Sequence, residues 1–265
     1  MTQISQPADS ADDADSLDDP APEDDDHAVA AALATTAGRR LLEIRAELGF
    51  GDAAALRSAG DAGAQILLAS QLARLRPDDA VLSEEARDDL ARLERSRVWI
   101  IDPLDGTREF SEDGRSDWAV HVALWVDGEL TVGAVALPGR GITLATPAVE
   151  APPPAPDQLR VVVSRTRPPA EASAVATALG AVLVPLGSAG AKVSAVVLGD
   201  ADVYVHSGGQ YEWDSAAPVA VARAAGLHTS RIDGSRLSYN QADPYLPDLL
   251  ICRPGLAEDV LAILN

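Results

Sequence analysis

The sequence predicts an α/β protein built on layered sheets, and three features carry that expectation. The second half alternates short apolar stretches with Ala-rich helical ones, the pattern of helices stacked on a sheet. The first half holds Val98-Trp99-Ile100-Ile101, an apolar run of the kind a strand shows when both its faces are covered. It also holds Asp127-Gly128 between two apolar stretches, a strong hairpin signal.

In chain order, Val29, Leu33, Ala37, Leu41, Ile44 and Leu48 recur every three or four residues and predict an amphipathic helix, closed by Gly49, Gly51 and Asp52. A second helix is expected over 61–75, stopping before Pro77, then a short strand over 79–82 that runs into Ser83-Glu84-Glu85, and a helix over 86–95. The strand at 98–101 must turn at Asp102, because Pro103 has no N–H to donate to a continuing ladder. Strands at 118–126 and 129–137 flank the hairpin turn, and 141–145 adds a third antiparallel strand. After a Pro- and Ala-rich stretch, strands are expected at 159–163, 181–184, 202–206 and 248–252, and helices at 170–179, 189–198, 214–225 and 256–264. The domain plan that follows is an acidic tail over 1–27, an α+β half over 28–146, a linker over 147–158 and an α/β half over 159–265.

A chain of 265 residues can bury a sizeable core. Its formal charge of −20 argues against a nucleic-acid polymer as partner, although ten of the acids lie in residues 1–27, which contain no Lys or Arg and read as a disordered solubilising segment. The single cysteine, Cys252, excludes an internal disulfide, the N-terminus lacks a basic-then-apolar leader, and no run is long enough to span a bilayer. A cytoplasmic protein with no membrane association is expected.

The chemistry concentrates at Asp102-Pro103-Leu104-Asp105-Gly106-Thr107. Two acids three apart on a tight loop at a strand's carboxyl end repel each other unless a cation neutralises them, and a hard divalent ion such as Mg2+ is the natural partner. Other candidates are ambiguous when read alone. Glu84-Glu85 resembles a solvated helix start, Asp61 and Asp214 stand where helix N-caps stand, and Gly187-Ser188-Ala189-Gly190-Ala191-Lys192 opens a helix whose bare N–H groups form a ready anion site. The arginines of Ser164-Arg165-Thr166-Arg167 serve loop solvation as readily as phosphate binding. His27, His121, His206 and His228 show no metal spacing, and no serine nucleophile accompanies them.

The segment 102–107, preceded by Trp99-Ile100-Ile101, resembles the D-P-[IL]-D-G-T signature of the lithium-sensitive, magnesium-dependent inositol monophosphatase superfamily. Arg108-Glu109-Phe110 is similar to the K-E-F continuation of its CysQ branch, the 3'(2'),5'-bisphosphate nucleotidases. Companion motifs follow in order: Ser83-Glu84-Glu85 resembles G-E-E, Trp213-Asp214-Ser215-Ala216-Ala217 resembles W-D-x-A-A, and 164–167 and 187–192 resemble nucleotidase segments. The resemblance implies a five-layer α-β-α-β-α sandwich of the sugar phosphatase type. It implies two Mg2+ ions, with a third left open and inhibition by Li+, held by Glu84, Asp102, the Leu104 carbonyl, Asp105 and Asp214. Asp61 would bond Thr107, the pair orienting the attacking water, with Glu84 also at the catalytic centre. Substrate contacts would come from Asp105, Gly106, Thr107, Arg108, Ser164, Arg165, Arg167, Gly187, Ser188, Lys192 and Asp214.

The implied reaction is hydrolysis of the 3'-phosphate of 3'-phosphoadenosine 5'-phosphate, extending to its 5'-phosphosulfate, in sulfate assimilation, by a protein that leaves room for a homodimer. A broad inositol-1-phosphate or fructose-1,6-bisphosphate phosphatase is the nearest rival, since the metal cage is shared. A metal-dependent nucleotide sensor without turnover is the non-enzymatic one. A haloacid-dehalogenase phosphatase is disfavoured, because its acids stand two apart rather than three.

Overall fold

The computed structural model describes residues 20–265, so most of the acidic N-terminal segment lies outside the described residues. The last part of the expected tail, 20–27, is docked instead. Arg74 donates to the Pro20 carbonyl at 2.9 Å, and the Arg76 guanidinium reaches the carbonyls of Pro22 and Asp24 and the Asp26 carboxylate.

The elements in order are α1 (Asp26–Leu48), α2 (Ala53–Leu75), β1 (Ala80–Ser83), β2 (Arg97–Asp105), α3 (Thr107–Phe110), β3 (Ala119–Val126), β4 (Glu129–Leu137), β5 (Ile142–Ala145), β6 (Arg160–Ser164), α4 (Ala170–Ala178), β7 (Val182–Leu186), α5 (Ala189–Val197), β8 (Val203–Tyr211), α6 (Glu212–Ala224), β9 (His228–Ser230), β10 (Tyr245–Cys252) and α7 (Ala257–Leu264). One sheet has the order β1-β2-β3-β4-β5 and the other β7-β6-β8-β10-β9. Three apolar clusters define the layering. The first packs α1 and α2 on one face of the first sheet, the second fills the space between the sheets around α5 and α6, and the third seats α4 and α7 on the far face of the second sheet. The result is the five-layer α-β-α-β-α sandwich. The irregular segment after β5 is more closely docked than a bare linker: Arg253 donates to the Pro153 carbonyl at 2.6 Å, and Val149 packs against the inner cluster.

Three expectations need correction. Helix α2 begins at Ala53, eight residues before Asp61, because the Asp52 carboxylate accepts from the amides of Ala54 and Ala55 and so caps this helix rather than closing the previous one. Gly60 lies mid-helix, where a β-carbon would come within 2.6 Å of the Phe110 ring. The helix expected over 86–95 reduces to a 3-10 turn at Leu90–Glu94, since Leu90 and Leu93 are exposed and supply no packing face. Strand β8 runs past His206 to Tyr211 through a bulge at Gly208 and Gly209, both with positive φ, and β9 was not anticipated at all.

Helix α6 crosses the first sheet at a point where only glycine fits. A β-carbon on Gly133 of β4 would stand 2.6 Å from the Ala220 β-carbon and 2.8 Å from the Ala217 carbonyl oxygen, a backbone atom that cannot give way cheaply. This close approach sets the height of α6, and of Asp214 at its start, above the sheet. Gly133→Val is expected to lower the unfolding free energy by about 1–3 kcal/mol, the usual range for overpacking; urea denaturation with an unchanged m-value would show it, and wild-type stability would refute the steric argument.

Candidate active site

Strand β2 assembles the acids through a break in its own regularity. Val98 and Ile100 face the inner cluster while Trp99 and Ile101 face α1 and α2, the ordinary period of two. Asp102 continues the inner series, and an unbroken strand would send Asp105, three residues on, to the opposite face. The register prevents this: Asp102 pairs with His121 and Asp105 with Ala119, so three steps on β2 match two on β3. That is a bulge of one extra residue, and Pro103, which has no N–H to leave unpaired, lies within it. The chain therefore does not turn at Asp102; it bulges, returns Asp105 to the inner face and carries Leu104 into the outer cluster.

The outcome is a trio, Asp102, Asp105 and Asp214, with one carboxylate oxygen of each within 4.8 Å of the others. Asp102 and Asp105 are buried, Asp214 half-buried. Asp102 Oδ1 accepts from the Leu104 amide at 3.0 Å, whereas its Oδ2 is buried without a hydrogen-bond partner among the described residues. An orphaned carboxylate oxygen, 3.9 Å from His121 Nδ1, on an acid grouped with two further carboxylates is the donor set a hard divalent cation takes, so the residues fit the metal that the sequence resemblance implies. Glu84, in the turn after β1, stands outside the trio but interacts with all three of its members.

Electrostatics divide these acids into two groups. Burial pushes Asp102 well above the ordinary carboxylate range, and the charges of Glu84, Asp105 and Asp214 add to the shift. Asp214 is raised to about 6 by desolvation and Asp105, against an opposing bond from the Tyr211 amide at 2.7 Å. Glu84 is exposed by surface area yet crowded by protein, and desolvation followed by the charge of Asp214 takes it to about 7. Asp105 goes the other way: burial pushes it up, but His121, Lys192 and Ser188 bring it to about 2. Its Oδ2 accepts from Ser188 Oγ at 2.5 Å and the Gly190 amide at 2.6 Å, and His121 Nε2 lies 3.3 Å away.

The anion held at the start of α5 is thus Asp105, correcting the expectation that this turn is a free phosphate cradle. Lys192 is likewise turned inward. It is buried, donates to the carbonyls of Gly187 and Ser188 at 3.2 and 2.6 Å, and lies over the Tyr204 ring. The Gly187 amide donates to Asp117 Oδ2 at 2.6 Å. Gly106 takes a left-handed φ of 86° at the start of α3, and Trp118 and Ser188 leave no room there for a side chain.

Asp61 is one of the residues brought to the centre. Thr107 Oγ1 donates toward Asp61 Oδ1 at 3.5 Å and to the Leu104 carbonyl at 3.2 Å. Desolvation, with Glu85 nearby, raises Asp61 to about 6. The arginines are less available than the sequence suggests. Arg165 is shared between Glu109 at 2.6 Å and Glu112 at 3.0 Å, and exposed Arg108 pairs with Glu112. Arg167 is exposed and makes no side-chain ion pair among the described residues, while its amide bonds to Ser164 Oγ. His121 is the residue sequence reasoning missed: it is fully buried, bonds the Trp213 carbonyl through Nδ1 at 3.0 Å and joins β3 to the first turn of α6 beside Asp214. Only its cross-strand register reveals it: the regular pairing sets it opposite Asp102, and the bulge beyond that pair brings Asp105 back to the face it lies on.

A layered sandwich with an acidic trio at the carboxyl end of a central strand, and a Thr–Asp pair beside it, defines a phosphatase of the metal-dependent α/β class. The inositol monophosphatase family model matches residues 27–263, and the chain belongs to that family. It is 54% identical over 255 residues, 91% of this chain and 93% of the relative, to a Mycobacterium leprae protein named 3'-phosphoadenosine 5'-phosphate phosphatase. It is 31% identical over 206 residues, 71% of this chain and 81% of the relative, to the Escherichia coli 3'(2'),5'-bisphosphate nucleotidase CysQ. Among solved structures, CysQ from Bacteroides thetaiotaomicron superposes with a TM-score of 0.69 at 25% identity, covering 84% of this chain and 95% of that one.

Carboxyls whose folded-state pKa is raised bind more protons in the native than in the unfolded protein, so they cost stability as pH rises. With Asp214 and Asp61 near 6 and Glu84 near 7, the metal-free protein is expected to lose thermal stability between about pH 4 and 7. Asp105, held at about 2, acts with the opposite sign only at lower pH. Added Mg2+ is expected to flatten or reverse the slope; a pH series of melting curves with and without the ion decides it, and identical slopes would remove the cation from this site.

Proposed function

We propose that this chain is a Mg2+-dependent 3'(2'),5'-bisphosphate nucleotidase that converts 3'-phosphoadenosine 5'-phosphate to AMP and phosphate. The observation that carries the chemistry is the buried Asp102–Asp105–Asp214 trio with its unpartnered oxygen. The substrate is supported by the 54% identity, over nearly the whole of both chains, to a relative bearing that name. The 5'-phosphosulfate analogue, which offers the same 3'-phosphate, is a second substrate, and sulfate assimilation is the setting in this reading. A cytoplasmic location accords with a lone, buried Cys252 thiol, which burial pushes up to about 12.

Glu84, Asp102 and the Leu104 carbonyl would hold one ion, and Asp102, Asp105 and Asp214 the other. When bound, Mg2+ lowers the pKa of a coordinated water and neutralises charge on the phosphoryl and leaving oxygens. The chain's own groups do the rest. Ionised Asp61 accepts a hydrogen bond from the Thr107 hydroxyl, which turns a threonine lone pair toward the water and fixes its line of attack. The water oxygen bonds to phosphorus and gives up a proton, the P–O3' bond breaks with its electron pair going to O3', and O3' takes up a proton from water, so the elements of one water are divided between phosphate and the 3'-hydroxyl of AMP. The amides of Gly106 and Thr107, at the start of α3, face the phosphate. Of the cations expected to answer the 5'-phosphate, Arg167 is free to do so, while Arg165 must first leave Glu109 and Glu112.

Phosphate release from 3'-phosphoadenosine 5'-phosphate, inositol-1-phosphate and fructose-1,6-bisphosphate, measured with Mg2+ across a Li+ titration, tests the reading. A preference of about tenfold or more in kcat/KM for the nucleotide, roughly 1.4 kcal/mol of transition-state discrimination, is expected. Equal rates on all three would make this a broad sugar phosphatase, and no release from any would make it a sensor. Asp102→Asn should abolish Mg2+-dependent turnover and, by removing a buried carboxyl crowded by Glu84, Asp105 and Asp214, raise the melting temperature of the metal-free protein. Retained turnover would sink the assignment of Asp102 to the cation.

A further inference from the structure

We infer that Arg92 and Glu212 are positioning residues that fix the Asp214 end of α6 relative to the Glu84 turn, and through that spacing set the affinity for the divalent cation. The inference rests on the reading above that these acids hold Mg2+.

Glu212 opens α6 two residues before Asp214 and is 1% exposed. Its Oε2 accepts from the Asn240 amide at 2.6 Å and its Oε1 from the Gln241 amide at 2.8 Å, and its own amide donates to the Pro244 carbonyl at 2.8 Å. Arg92, also 1% exposed, grips the same turn from the other side. It donates to Asn240 Oδ1 at 2.6 Å and to the Gln241 carbonyl at 2.8 Å, while Asp88 holds the same guanidinium at 2.7 and 3.0 Å. Asn240 takes a left-handed φ of 60°, a conformation asparagine tolerates and one that offers its amide to Glu212 and its side chain to Arg92. On the other flank of Asp214, Ser215 Oγ and Tyr239 Oη are 3.1 Å apart.

These residues touch the proposed cation site only through their neighbours. Residue 84 and residue 92 belong to the same segment leaving β1, and residue 212 belongs to the helix that carries Asp214, so the turn at 239–241 is a strut between two of the three elements that supply acids. The third, β2, is fixed by its sheet. Two buried charged groups are an expensive way to hold a turn, since apolar packing of the same volume holds as well. What charged, two-pronged contacts add is direction: each is satisfied only over a narrow range of distance and angle. A cage for a small, strongly hydrated cation needs that definition, and groups that orient ligands in this way typically contribute 10–100-fold in metal affinity.

The test is calorimetric titration of Mg2+ into the full-length protein without substrate, alongside kcat and KM for the nucleotide at saturating Mg2+ and melting curves. Glu212→Gln keeps the side-chain shape but turns an N–H toward one of the two amides it must accept from. It is expected to raise the Mg2+ Kd about tenfold or more while KM stays within about twofold. Arg92→Lys, which keeps the charge and loses the fork, should do the same. Arg231→Met, which breaks the Arg231–Asp248 pair elsewhere in the second sheet, should lower the melting temperature without moving the Mg2+ Kd. Wild-type Mg2+ affinity in both clamp variants would overturn the inference, as would losses that track melting temperature equally in all three. Absence of Mg2+ binding by the wild-type protein would instead overturn the functional reading on which it rests.

Discussion

Three carboxylates held within 4.8 Å of one another, two of them buried, are the constraint on which the rest of this structure depends. Like charges at such separations in a poorly hydrated place raise one another's pKa, and the protein relieves only part of that conflict. Asp105 receives the relief: the Ser188 hydroxyl, the Gly190 amide at the start of α5, the His121 imidazole and the charge of Lys192 all favour its ionised form. Asp102 and Asp214 receive little. One carboxylate in the trio is thus ionised by the protein itself, and the others await a cation or keep a proton, the divergence that separates roles among acids sharing one site.

The architecture around the trio makes the arrangement hold. A single extra residue at the Pro103 bulge decides that two acids three apart share a face, and the absence of a side chain on Gly133 decides how closely α6 brings the third. Glycine is needed again at residue 190, where any β-carbon would run into the His121 ring, and the close approach lets α5 present its first amides to Asp105. Residues with no acid–base chemistry of their own therefore determine the electrostatics of those that have it.

Much of this was legible in the sequence. The period of the apolar residues gave α1, Asp127-Gly128 gave the hairpin, and six linked positions at 102–107 marked the acidic strand end. What was not legible shares a cause: it depends on pairing across the chain. Asp52, which stands at the end of one apolar series, caps the helix after it rather than closing the one before. The turn from Gly187 to Lys192 has the composition of an anion site and is one, but its anion comes from a strand more than eighty residues away. His121 has no sequence signal whatever, since only the cross-strand register puts it opposite Asp102 and only the bulge beyond brings Asp105 to it.

The cations around the site lead to a last step. The chain is strongly acidic, and a substrate bearing two phosphates approaches it as a polyanion. Lys192 faces the carbonyls of its own helix start, Arg165 is divided between Glu109 and Glu112, Arg108 pairs with Glu112, and Arg115 pairs with Asp117. Each of these would have to surrender an existing partner to meet a phosphate, so their net attraction for one is small. In the proposed reading the charge that draws in the substrate comes chiefly from the divalent cations, with Arg167, and Arg57 beside Asp61, which bonds only the Ser111 hydroxyl at 3.4 Å among the described residues, as protein contributions. Metal dependence in that reading belongs to substrate binding as much as to chemistry, and Glu84, Asp102, Asp105 and Asp214 serve both.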